Sequence, residues 1–147
     1  MRFLKKFIRG VHPDDRKKLT SGKSIEFYPL PHKVIIPLKQ HIGSPTVPIV
    51  KIGDKVCKGQ VISKSDEKIS SIIHASISGE VIDIANYPHP IFGSFKSIVI
   101  QGDSRDECPD EPSNEHTWQN FDKETLIKII QDAGIVGMGG ATFPTYF

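Results

Sequence analysis

The sequence predicts a small all-β sandwich or barrel followed by one helix. Residues 24–100 hold several short β-branched runs, each closed off by Gly, Pro or Asp turn chemistry. No strand alternates with a helical pattern there, so a βαβ fold is excluded. Helical periodicity appears only past residue 121, where Leu126, Ile127, Ile129, Ile130 and Ala133 share a face.

Taken in order, residues 25–28 and 34–38 read as short or edge strands because Pro29, Pro31 and Pro37 bound them. Residues 47–52 form the next apolar stretch. Gly53-Asp54 and Gly59-Gln60 then supply two tight turns before Val61-Ile62. Residues 70–75 are strand-like, and Ser78-Gly79 turns the chain into residues 80–84. There the alternation of Val81/Asp83 with Ile82/Ile84 suits a half-buried strand. A loop rich in Pro and aromatics, 87–95, precedes a last strand at 97–101. Residues 103–121 are acidic and Pro-bearing and read as a linker. Asp122 is a good N-cap, Phe121 can staple against Leu126, and Gly134 ends the helix as a left-handed residue. The implied division is an arm at 1–23, a β domain at 24–102, the linker at 103–121 and a C-terminal unit at 122–147.

Composition sets further bounds. With 147 residues, 37% hydrophobic and 24% charged, the chain can hold one modest core. A formal charge of +2 is too small to argue for a nucleic-acid partner. No apolar run approaches the roughly 20 residues of a membrane span, and the basic-apolar N-terminus lacks the continuous apolar core of a signal peptide. A cytoplasmic chain is the expectation. The N-terminal arm reads as solvated or docked on a partner, with an anionic membrane surface as the alternative. Cys57 and Cys108 are far apart and form no C-x-x-C pair, so both are expected as reduced thiols. The scattered histidines show no metal spacing. No metal ligand set and no catalytic acid, base or nucleophile is nominated.

Two half-motifs carry more information. Residues 50–62 contain the spacing G-D-x-V-x-x-G-Q (Gly53-Asp54, Val56, Gly59-Gln60), and residues 74–84 contain S-G-x-V (Ser78-Gly79, Val81). In this order they resemble the barrel-sandwich hybrid fold of lipoyl and biotinyl carrier domains. Lys68 stands eleven residues before Gly79, the register of the modified lysine in lipoyl domains. A carrier domain acylated on Lys68 is therefore the alternative function, although Glu67-Lys68-Ile69 differs from the D-K-A or M-K-M settings of those families.

A longer series of motifs spans the chain: Gly10-Val-His-Pro13, Lys17, Thr20, Ile36-Pro-Leu38, Gln40-His-Ile-Gly43, the two turns above, His74-Ala75, Ser78-Gly79, and Ala133-Gly-Ile-Val-Gly-Met-Gly-Gly-Ala-Thr-Phe-Pro-Thr145. It resembles the N-terminal part of the RnfC family, one component of the ion-translocating Rnf electron transport complex. Arg9 departs from the glycine usual there. The resemblance implies a non-catalytic scaffold portion of a protein that passes electrons between NADH and ferredoxin. It implies FMN and iron–sulfur clusters in full-length relatives, with no cofactor expected on this portion. Other Rnf subunits would be its partners, and its place the cytoplasmic face of the bacterial cell membrane, peripherally. A related component of the sodium-pumping NADH:quinone oxidoreductase shares the architecture, but the intact G-x-G-G-A-x-F-P-T loop argues against it.

In full-length relatives the same resemblance assigns Gly137, Gly139, Gly140 and Ala141 to backbone contacts with a flavin phosphate. Successive amides without obstructing side chains can form an anion nest. Only Tyr146 and Phe147 follow Thr145, so residues 122–147 are read as the shortened start of a flavin- and NADH-binding domain. In this chain the loop is expected to be a disordered or loosely packed tail.

Overall fold

The computed structural model describes residues 14–104 and 118–147. The first half of the expected arm and most of the expected linker, including Cys108, lie outside the described residues. Among the described residues six strands make two antiparallel sheets. β1 (Lys33–Pro37), β3 (Lys55–Val56), β5 (Gly79–His89) and β6 (Gly93–Gly102) form one, in the order β1-β6-β5-β3. β2 (Val47–Pro48) and β4 (Ser63–Lys64) form the other. The mainly β expectation holds.

The two glycine turns explain the short strands. Gly53 (φ 94°) and Gly59 (φ 83°) adopt left-handed conformations that favour glycine. The residue after each folds back in the same way. Asp54 Oδ2 accepts from the Lys51 amide at 2.8 Å, and Gln60 Oε1 accepts from the Cys57 amide at 2.9 Å. Each turn is then tied to the second half-motif. Gly53 N donates to Val81 O and Val81 N to Asp54 O, while Gly59 N donates to Ala75 O and Ala75 N to Gln60 O. The Ser78 hydroxyl accepts from Lys58 N at 3.0 Å. The spacing G-D-x-V-x-x-G-Q…S-G-x-V is thus the spacing of one interlocked set of turns. Glycine at 79 is also required sterically, because a Cβ there would overlap the Gln101 carbonyl across the β5–β6 ladder.

Three expectations are corrected. Residues 25–28 form no strand: they are exposed and pair with no other segment among the described residues. β5 and β6 run on through most of the expected 87–95 loop, making a long hairpin closed by Pro90, Ile91 and Phe92. β3 covers β5 only at Gly79 and Glu80, so Pro88 lies where β5 is an edge and a missing ladder amide is tolerated. Third, the register shifts between Val81 and Asp83, leaving Ile82 as the extra residue of a β-bulge. Val81 and Ile84 consequently serve the core while Ile82 is exposed, which breaks simple alternation.

The core is Ile36, Leu38, Val50, Val56, Ile62, Ile73, Ala75, Ile77, Val81, Ile98 and Ile100, drawn from both half-motifs and from the β1–β6 pair. Cys57 is disulfide-bonded, against the expectation of a reduced thiol. The chain leaving β6 passes the Cys57–Lys58 turn, with Asp103 N bonded to Ser78 O and Ser78 Oγ bonded to Lys58 N.

Candidate functional site

Helix α1 (Lys123–Asp132) begins as expected. The Asp122 side chain accepts from Thr125 N at 2.8 Å, and bonds from the Thr125 hydroxyl and amide hold this carboxyl below the ordinary aspartate range. It ends in a Schellman motif, with Gly134 N donating to Gln131 O and Ile135 N to Ile130 O around Gly134 at φ 66°. None of its residues is buried, and Ile127 and Ile129 are exposed. The helix therefore does not close over the sheet. Its role in the structure is to deliver the glycine loop.

That loop is folded, which corrects the expectation of a loosely packed tail. Val136 and Pro144 form a bridge, Gly137 N donates to Phe143 O at 2.8 Å, Thr145 N to Ile135 O at 3.0 Å, and Pro144 is fully buried. The loop is also fastened to the barrel. Ile42 N donates to Ala141 O at 3.0 Å, the Thr142 hydroxyl to Gln40 O at 3.1 Å, and the Tyr146 hydroxyl to Ser70 O at 2.8 Å. Sequence reasoning found the loop but not its seat, because every partner lies at least 70 residues away in sequence.

The four expected site residues divide. The Gly137 amide is already committed to Phe143. Gly139, Gly140 and Ala141 are exposed on a turn closed by Thr142 N to Gly139 O, with Gly140 at φ 58°, and among the described residues their amides donate to no protein acceptor. Gly140, Ala141 and Thr142 edge a cavity of about 650 Å³ whose other wall is residues 37–43 and the tip of the β5–β6 hairpin. Lys39 Nζ stands 4.7 Å from the Phe92 ring centroid on that wall. Sequence reasoning missed Lys39 and the hairpin tip. The only hint was an aromatic cluster in a Pro-rich turn.

Two histidines build the wall. His89 Nε2 lies 2.9 Å from the Lys39 carbonyl, while its Nδ1 receives the Ile91 and Phe92 amides. A carbonyl can only accept, so Nε2 carries the proton and Nδ1 is the unprotonated nitrogen that accepts from both amides. His41 also spans backbone groups: Nδ1 lies 2.8 Å from the Ile42 carbonyl, and Nε2 lies 3.0 Å from the Ser71 amide and 3.2 Å from the Ser71 carbonyl. Both histidines are structural bridges between backbone groups. Among the described residues no cluster of His, Cys, Asp and Glu is arranged to hold a metal. Among the described residues the Ser71 hydroxyl, buried beside His41, has no protein partner.

Lys68 is exposed in the bend between β4 and the segment that returns at 70–75, a hairpin-tip position. The backbone around it is clamped. Tyr146 donates to Lys68 O at 3.2 Å, Ser44 N to Ile69 O at 3.0 Å, and Gly43 packs so closely on Ile69 that a Cβ would overlap its carbonyl.

The family model for the RnfC barrel sandwich hybrid domain matches residues 5–105. The chain belongs to this family. Its similarity to RnfC proteins extends past that domain to the glycine loop. It is 52% identical over 143 residues, 97% of the chain, to the RnfC protein of the proton-translocating ferredoxin:NAD(+) oxidoreductase complex of Clostridium ljungdahlii. It is 40% identical over 140 residues to the Na(+)-translocating counterpart of Acetobacterium woodii, and 42% identical over 139 residues to the corresponding protein of the ion-translocating oxidoreductase complex of Rhodobacter capsulatus. The chain spans 31%, 32% and 26% of the lengths of these RnfC relatives. The barrel-sandwich hybrid expected from the half-motifs is thereby established. No helix among the described residues is long and apolar enough to cross a membrane.

Proposed function

We propose that this chain is the N-terminal scaffold of an RnfC protein that works in an ion-translocating complex, passing electrons between NADH and ferredoxin. On this reading residues 24–102 are the scaffold barrel, and residues 122–147 open a flavin- and NADH-binding domain. FMN and iron–sulfur clusters belong to the longer protein, and the other Rnf subunits hold it peripherally at the cytoplasmic face of the cell membrane. The observation that carries the reading is the seating of the glycine loop on the barrel. A scaffold would have to fix that loop, and bonds from Ile42, Thr142 and Tyr146 do so.

Gly139, Gly140 and Ala141 are the residues that fit a flavin phosphate, since their amides are uncommitted and no side chain screens them. Gly137 contributes by shaping the loop through its bond to Phe143. When bound, the flavin would supply hydride and single-electron chemistry. The chain's own part is to hold the anion edge rigid.

Titration calorimetry of the chain with FMN and with NADH tests the division of labour. Neither ligand should bind at micromolar concentration, because three amides are a small part of a flavin site. Micromolar binding of either would overturn the scaffold reading. In the full-length Clostridium relative, a bulky side chain at the position of Gly140 should lower FMN content without loss of the folded protein.

A further inference from the structure

Residues 14–33 are all exposed, the longest such stretch among the described residues. They include Leu19 (76% exposed), Ile25 (92%), Phe27 (97%) and Tyr28 (87%). Among the described residues, the hydrogen bonds of 14–30 stay within the stretch, as in Thr20 N to Lys17 O and Lys23 N to Thr20 O. Hydrogen bonds to the barrel begin at His32, whose carbonyl receives Gly102 N and Gln101 Nε2. Four large apolar side chains therefore stand in water on a segment with no apolar surface of its own to cover them, a costly arrangement unless something else does.

Charge says what covers them. Residues 1–30 carry eight Lys or Arg (Arg2, Lys5, Lys6, Arg9, Arg16, Lys17, Lys18, Lys23) and three acids (Asp14, Asp15, Glu26), a net of +5. The whole chain is +2, so residues 31–147 are −3. A stretch of net positive charge that leads into exposed aromatic and aliphatic side chains has the composition of a segment that lies in the headgroup zone of an anionic bilayer. Aromatic rings with a polar edge, as in Tyr28, favour that zone. The opposite charge of the barrel would hold the body off the same surface and orient the molecule arm-first.

We propose that the arm bearing Leu19, Ile25, Phe27 and Tyr28 docks directly on anionic lipid, with the net positive charge of residues 1–30 supplying the attraction. This deepens the membrane-side placement proposed above, adding a lipid contact to those made through other subunits.

Co-sedimentation of the chain with phosphatidylcholine vesicles, with and without about one-third phosphatidylserine, tests the proposal. Partitioning should be about tenfold or more stronger on the anionic vesicles at ~0.1 M salt and should fall steeply by ~0.5 M. The double variant Phe27→Glu/Tyr28→Glu should lose about tenfold in partitioning. Its thermal midpoint should not change, because both side chains are exposed. Equal partitioning on neutral and anionic vesicles, or a double variant that partitions like the parent, would overturn the proposal. A chain that ignores vesicles yet is retained by membranes carrying the assembled complex would also overturn it. That last outcome would leave the scaffold reading intact and assign the arm to a protein partner.

Discussion

Gly134→Ala separates the seating of the glycine loop from its local backbone geometry. Gly134 and Gly140 have nearly the same left-handed φ, 66° and 58°, so an alanine at either pays roughly 1–2 kcal/mol of backbone strain. Their surroundings differ. A Cβ at Gly140 meets nothing within 4 Å, whereas one at Gly134 would stand 2.6 Å from the Ile72 carbonyl oxygen and 3.2 Å from two atoms of the His74 ring. A relaxed carbon–oxygen contact needs about 3.3 Å, so the helix end or the 70–75 segment must yield by about 0.7 Å. Overpacking of that kind adds about 1–3 kcal/mol. The expected losses are therefore about 1–2 kcal/mol for Gly140→Ala and about 2–5 kcal/mol for Gly134→Ala, read by urea denaturation. Hydrogen exchange at the Ile42 amide, which donates to Ala141 O, should rise sharply in Gly134→Ala. Equal losses in the two variants, or unchanged protection at Ile42, would refute the claim that close packing at Gly134 seats the loop.

Two further outcomes follow from the barrel itself. Ile98 is fully buried at the centre of β6, between Ile36 and Ile84, and Ile98→Ala should cost about 2–5 kcal/mol in the same denaturation assay. A loss under ~1 kcal/mol would place the core elsewhere. The Tyr87 hydroxyl donates to Asp83 Oδ2 at 2.7 Å, and this bond, with lesser help from desolvation and the carboxylate charge, raises the phenol above the ordinary tyrosine range. A raised folded value means the bond stabilises below the ordinary tyrosine pKa and is lost as pH climbs through the elevated one. Ultraviolet titration should show the high-pH tyrosine transition moving down in Asp83→Asn, and an unmoved transition would remove the assigned cause.

Much of this molecule was legible because its signals are local. Asp122 caps the helix through a residue three positions on, Gly134 closes it within five, and each glycine turn is secured by the side chain beside it. Those interactions depend on short spacings that a linear sequence displays. The misreadings have a common physical origin in partners remote along the chain. Residues 25–28 have strand composition, but β-propensity reports fitness for a sheet surface and not the presence of a neighbour. The bulge at Ile82 and the extension of β5 past Pro88 depend on β6. The glycine loop pointed to a phosphate from its own residues. The Lys39–Phe92 wall opposite it comes from segments some 50 and 100 residues earlier, brought there by the barrel.

The bonds that seat the loop also imply an order of assembly. Residues 33–102 satisfy one another through ladders and turns, whereas the loop reaches back to Gln40, Ile42, Lys68 and Ser70. A ribosome releases those acceptors and donors long before Tyr146 appears. The barrel can therefore close while synthesis continues and act as a mould, so that the glycine turn takes its shape against a finished surface as it emerges.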